Sequence, residues 1–111
     1  MDTRLNYPEI VKKILQEYVT YYSEEGEQRL QILADEKNHS YLLLDSGWYG
    51  NEYIHHTPIH IDIKGDKVWI QYDDTEDGIA TDLLEAGVPQ TDIVLGFRPP
   101  ELRVYTEFAT A

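Results

Sequence analysis

"HIDIKGDKVWIQ", residues 60–71, decides the fold. Apolar and polar residues alternate on both sides of Gly65-Asp66, the pattern of two half-buried strands joined by a two-residue turn. Closing the hairpin on that turn sets Lys64 against Lys67, Ile63 against Val68, Asp62 against Trp69, Ile61 against Ile70 and His60 against Gln71. Ile59, Ile61, Ile63, Val68, Ile70 and Tyr72 then share one face, and a slip of one residue would scatter them. His60, Asp62, Trp69 and Gln71 fall on the other face, which is a reaction centre, a surface for a partner, or the solvent side of a sheet.

Working outward, "QRLQILAD" (28–35) and "SYLLLDSGWYG" (40–50) read as two further strands, joined by the polar connection from Asp35 to His39. Leu42, Leu43 and Leu44 supply apolar groups to both faces, which predicts an interior strand covered on both sides at its middle. The strand from Glu52 to Lys64 is expected to break near Thr57-Pro58, because proline has no N–H for a ladder. Ahead of the strands, "YPEIVKKILQEYVTYY" (7–22) carries Ile10, Val11, Ile14, Leu15, Tyr18 and Val19 at helical spacing. Asn6 can cap this helix, Glu9 completes a capping box, Leu5 can staple onto Ile10, and Gly26 marks its end.

Beyond the hairpin, "DDTEDGIATDLLEAGVP" (73–89) predicts a second helix. Acidic residues stand at its start, where the helix dipole favours them; Ile79, Leu83 and Leu84 are its buried positions, and Gly87 with Pro89 stops it. The remaining "QTDIVLGFRPPELRVYTEFATA" (90–111) reads as irregular, with a helical turn opened by Pro99-Pro100 and running through Tyr105. Leu95, Phe97, Leu102 and Phe108 would hold this tail to the body. The expected architecture is α+β: an N-terminal helix, a four-stranded antiparallel meander, a second helix packed on one sheet face, and a short irregular or helical C-terminal tail. At 111 residues the chain suits a single domain, 1–111, with one core.

Composition narrows the function. The chain is 41% hydrophobic with nine tyrosines and two tryptophans, a globular balance. It has no cysteine, which excludes disulfides, thiolate metal sites and a cysteine nucleophile. No stretch approaches the roughly 20 apolar residues that span a bilayer, and no apolar leader follows the N-terminus, so a soluble cytoplasmic protein is expected, with no membrane partner. The formal net charge of −12 opposes contact with nucleic acid, since the basic residues stand singly or as the pair Lys12-Lys13. No direct nucleic-acid binding is expected.

Chemistry-bearing patterns are sparse. His60 and Asp62, two apart on a strand, point the same way and could ligate a metal or serve a small hydrolytic enzyme, with His55 or His56 as a third group. Yet His55 and His56 point to opposite faces, His39 sits in a turn, and no helical ligand spacing is present, so surface imidazoles without metal or cofactor are the expectation. Ser23, Ser40 and Ser46 lack a nucleophile elbow, and the seven glycines form no phosphate-binding loop. Aromatic material on the outer sheet side stands above this background: Trp69 by register, with Trp48, Tyr49 and Tyr53 near it. Such residues anchor interfaces; alternatively, the tail folds over that face and buries Trp69.

"HIDIKGDKVWIQ", "SGW" and "LLEAGVPQTDIVLGFRPPELRVYTEFATA", with "GVP", "DIVLGF" and "YTEFA" in that order, carry a likeness. From its first helix to its last residue the chain resembles the XisI family, the fdxN element excision controlling factors of cyanobacteria. The resemblance implies an accessory protein acting with XisH in programmed excision of a DNA element during heterocyst development, while a separate site-specific recombinase exchanges the strands. XisH-type proteins are similar to restriction-endonuclease-like nucleases, and the resemblance brings no catalytic residue with it. The expectation is a non-enzymatic factor whose outer sheet face, with His60, Asp62, Trp69, Gln71 and Trp48, binds an XisH-like partner or a second copy of the chain.

Overall fold

The structure, a computed structural model, describes residues 6–24, 29–76 and 78–111. Helix α1 (Tyr7–Glu24) begins where the sequence places its cap: the Glu9 N–H donates to Asn6 Oδ1 (3.2 Å) and the Ile10 N–H to the Asn6 carbonyl (3.0 Å). The Leu5 staple and the Gly26 break lie outside the described residues. Val11, Ile14 and Leu15 are the buried stripe of α1, with Tyr18 and Val19 at its margin.

Four antiparallel strands follow: β1 (Leu30–Asp35), β2 (Ser40–Tyr49), β3 (Glu52–Lys64) and β4 (Lys67–Asp73). Gly65 (φ 53°) and Asp66 (φ 65°) both adopt the left-handed region, as a tight hairpin turn matching the twist of its strands requires. The expected register therefore holds from Lys64–Lys67 to Ile61–Ile70.

Two β-bulges alter the rest. The interruption expected near Thr57-Pro58 takes the form of a bulge within a continuous β3: Leu43 pairs with Ile59 but Asp45 with His56, so Thr57 and Pro58 together stand opposite Leu44. The extra residue accommodates a proline that regular pairing would exclude. In β4, Ile70 pairs with Ile61 but Tyr72 pairs with His60, leaving Gln71 without a partner and overturning the expected His60–Gln71 pair. Past this point the two faces exchange residues. Tyr72, expected in the core, is 48% exposed on the outer face. Asp73 turns to the helix side, where its Oδ2 accepts the Ile79 N–H (2.7 Å) and its Oδ1 accepts the Thr75 N–H (2.9 Å) and hydroxyl (2.6 Å).

Helix α2 (Ile79–Glu85) thus starts after the acidic stretch rather than within it. Ile79 and Leu83 are buried, but Leu84 faces solvent. Its end is as predicted: Gly87 takes φ 100°, and the Val88 N–H reaches back to the Leu83 carbonyl (3.0 Å). A short 3₁₀ turn (Gln90–Asp92) then leads into β5 (Ile93–Leu95), which pairs parallel to β4. Among the described residues the sheet is therefore five-stranded and mixed, in the order β1-β2-β3-β4-β5, rather than a four-stranded antiparallel meander. The parallel pair is possible because α2 carries the chain back across the sheet.

The tail continues through helix α3 (Pro100–Arg103) and runs along the free side of β5, where the Ala109 N–H donates to the Ile93 carbonyl (2.8 Å). Leu95 and Phe108 hold it to the core, whereas Phe97 and Leu102, expected to do the same, are exposed. α1 and α2 cover one face of the sheet, and Tyr41, Leu43, Ile59, Ile61, Val68, Ile70 and Ile93 fill the space beneath them. Each large apolar side chain buried there stabilises the fold by about 1.5–3 kcal/mol. No helix among the described residues is long and apolar enough to cross a membrane.

Candidate interaction face

Strand alternation sends Ser40, Leu42, Leu44, Ser46 and Trp48 of β2 to the side away from α1 and α2. Opposite them on β3 stand Asp62, His60, His55 and Tyr53. Leu42 and Leu44 are half-buried by their neighbours rather than covered by a second layer, a correction to the expected two-sided cover. Leu33 of β1, beside Leu42, is 46% exposed.

His60, Asp62 and Gln71 come together as expected, joined by Ser40. Asp62 Oδ1 accepts from the Ser40 hydroxyl and lies 3.0 Å from His60 Nε2, while Asp62 Oδ2 accepts from Gln71 Nε2 (3.1 Å). Ser40 Oγ is also 3.2 Å from His60 Nε2. Burial raises the Asp62 pKa, but the Ser40 hydroxyl, the His60 imidazole and the Gln71 amide together outweigh it and hold the carboxyl below its usual range. The set holds a serine, a histidine and an aspartate, yet its geometry is not that of a nucleophile relay. A relay uses the two imidazole nitrogens for two different partners. Here serine and aspartate meet the same nitrogen, and the serine proton is engaged by the carboxylate.

Trp69 neighbours Asp62 across the β3–β4 pair and is half-buried. Lys64 and Arg103 lie over its ring at 5.1 and 5.2 Å, and Arg103 also donates to the carbonyls of Arg98 (3.1 Å), Gly96 (3.4 Å) and Thr110 (3.3 Å). Val94, paired with Trp69, is fully buried. The tail thus closes the β4–β5 end of this face and leaves the β1–β3 part open. The reading in which the tail folds over Trp69 is met in part, since the ring is sheltered by tail and side chains without being enclosed.

Trp48 is not part of this cluster. It stands six residues from Leu42, on the order of 20 Å along β2. There it is 68% exposed and packs edge-on against Tyr53 (5.3 Å), which stacks on His55. Tyr49, also expected near Trp69, lies at that far end under the Arg29 guanidinium. His55 bonds Ser46 (3.1 Å), His56 pairs with Asp45 on the helix side, and His39 occupies the β1–β2 turn. Among the described residues no three His, Asp or Glu side chains converge as a metal would require. Sequence reasoning missed Ser40; the signal was the β2–β3 register, which sets it opposite Asp62.

Helices on one side and a largely open face on the other define a two-layer α+β protein with a mixed sheet. The model of the XisI protein family matches residues 1–110, and the chain belongs to that family. Two solved structures from Anabaena variabilis agree. The fdxN element excision controlling factor XisI is 35% identical, with a TM-score of 0.78 over 95% of this chain and 96% of that one. A XisI-like protein is 36% identical, with a TM-score of 0.84 over the same shares. No curated protein matches the chain.

Proposed function

We propose that the chain acts as a single-domain, non-enzymatic controlling factor that works by protein–protein contact, binding an XisH-like partner with a nuclease fold in the excision of a DNA element. The outer sheet face makes the contact, with Asp62, His60, Gln71 and Trp69 at one end and Trp48 at the other. The observation that supports this reading is the open outer surface, where Leu33, Leu42 and Leu44 of β1 and β2 and Tyr72 of β4 stand beside a bonded polar cluster, and Tyr53 joins Trp48 at the far end. Apolar and aromatic surface of this kind marks a contact site, and aromatic residues anchor such contacts. The net charge of −12 suits a basic protein, because opposite charge speeds association and rejects wrong partners.

The test is the solution mass, by light scattering after size-exclusion chromatography, of this chain alone and mixed with the XisH-like protein of the same genome. A heteromeric complex is expected, and Trp48→Ala and Tyr72→Ala should each weaken it about fivefold or more, as anchor residues do. Both side chains are exposed, so the fold should tolerate these changes. Separate elution at micromolar concentration would sink the partner, and undiminished binding by both variants would move the contact off this face. The mass of the chain alone reports whether two copies close the face on each other.

A further inference from the structure

On the helix side, the end of α1 faces the loop between β4 and α2 across two recesses of about 320 and 310 Å³. Tyr18, Tyr22, Thr75 and Glu76 line both, so the recesses form one groove. Glu17 and Asp82 stand at one end, Asp45 and Asp74 at the other, and no lysine or arginine is among the described residues of its walls. Two of these carboxylates are engaged: Asp82 accepts the Tyr18 phenol (2.9 Å), and Asp45 holds Arg29 (2.9 Å). Glu17, Asp74 and Glu76 have no ion-pair partner among the described residues.

The groove is more than a cluster of acids. Leu30 and Pro58, both half-buried, give the second recess an apolar floor. Its rim carries phenol rings, Tyr22 and the neighbouring Tyr21, which meet edge to face at 5.2 Å. Carboxylates, aromatic faces and an apolar floor answer the three parts of one side chain. A guanidinium takes carboxylates in its planar fork and stacks on rings, and its methylene stem lies along apolar surface.

We propose that this groove seats an arginine-bearing segment of a basic protein partner. The charge of the whole chain favours such an occupant, and the basic side chains beside the described walls, Arg29 on Asp45 and the imidazole of His56, stand at the Asp45 end, away from Glu17 and Asp82. The proposal does not rest on the outer-face reading, since the groove lies on the opposite side of the sheet.

The experiment follows the amide resonances of the ¹⁵N-labelled full chain during titration with a short peptide holding two arginines among glycine and serine. Saturable shifts are expected at Tyr18, Tyr22, Thr75 and Glu76. Glu17→Gln and Glu76→Gln should each weaken binding about two- to fivefold, and Glu101→Gln, far from the groove, should leave it unchanged. Citrulline in place of arginine should abolish binding, and a lysine peptide should bind more weakly. Shifts spread over all exposed carboxylates without saturation, insensitivity to both groove variants, or no shifts at millimolar peptide would each overturn the proposal. So would equal binding of the lysine peptide, or displacement of the arginine peptide by millimolar magnesium.

Discussion

Replacing Asp73 by alanine removes three hydrogen-bond acceptances at once, from the Ile79 N–H, the Thr75 N–H and the Thr75 hydroxyl. The Ile79 contact matters most, because Ile79 is fully buried and its N–H opens helix α2, whose own N-cap, Gly78, offers no side-chain bond. A hydrogen bond to a charged group contributes about 1.5–3 kcal/mol, and loss of a helix cap costs about 0.5–2 kcal/mol. These figures describe overlapping contacts and do not add, so Asp73→Ala should cost about 2–3 kcal/mol. For a chain of this size that corresponds to a fall in Tm of about 10 °C. Asp73→Asn keeps one acceptor oxygen and should lose about half as much. Urea unfolding followed by circular dichroism measures both, with an unchanged m-value showing that the same surface is exposed in each variant. A loss below about 0.5 kcal/mol in Asp73→Ala would show that α2 does not depend on this carboxylate, and the account of how the β4 bulge secures the helix would fail.

Asp62 predicts a pH dependence. Its folded pKa lies below the ordinary value of about 3.9, so its contribution is present above that pH and is lost as pH falls through the depressed value. Asp62→Asn should therefore be less stable than the parent chain at neutral pH, with the gap closing as pH falls through the depressed value; urea midpoints that keep a constant gap would contradict this. Arg103→Ala should free the tail from Trp69 and cost about 1–2 kcal/mol, from one ring contact and the carbonyl bonds together. In a Trp48→Phe background the Trp69 emission should shift to the red, and an unmoved spectrum would mean that Arg103 does not shelter the ring.

Helix α1 was legible because local signals agree, apolar spacing with the Asn6 cap. The hairpin was legible because Gly65-Asp66 and the two alternating flanks admit one register. The reading failed where the cause is not local. Nothing in "IQYDD" announces a bulge at Gln71, since Tyr72 suits a core face or an open one, and only the position of α2 selects between them. β5 is three residues long, too short to show alternation, and it becomes a strand because α2 returns it to the β4 edge. For the site, His60, Asp62 and Gln71 were legible from one hairpin. Ser40 required the pairing of a second, and the distance between Trp48 and Trp69 required strand lengths that β2 and β3 reveal only when assembled.

The extra residue in β4 works as a phase shift in a two-beat rhythm. Up to Ile70 the strand keeps the beat set by the hairpin turn; from Tyr72 onward it keeps the opposite one. Without the shift, Tyr72 would press into the space beneath the helices, and Asp73 would point to the open side with α2 uncapped. One inserted residue thereby gives a tyrosine to one surface and a carboxylate to the other layer. The two layers are coupled at this point in the chain. A deletion that restored the regular beat would change the open face and loosen the helix together, so neither can vary here without the other.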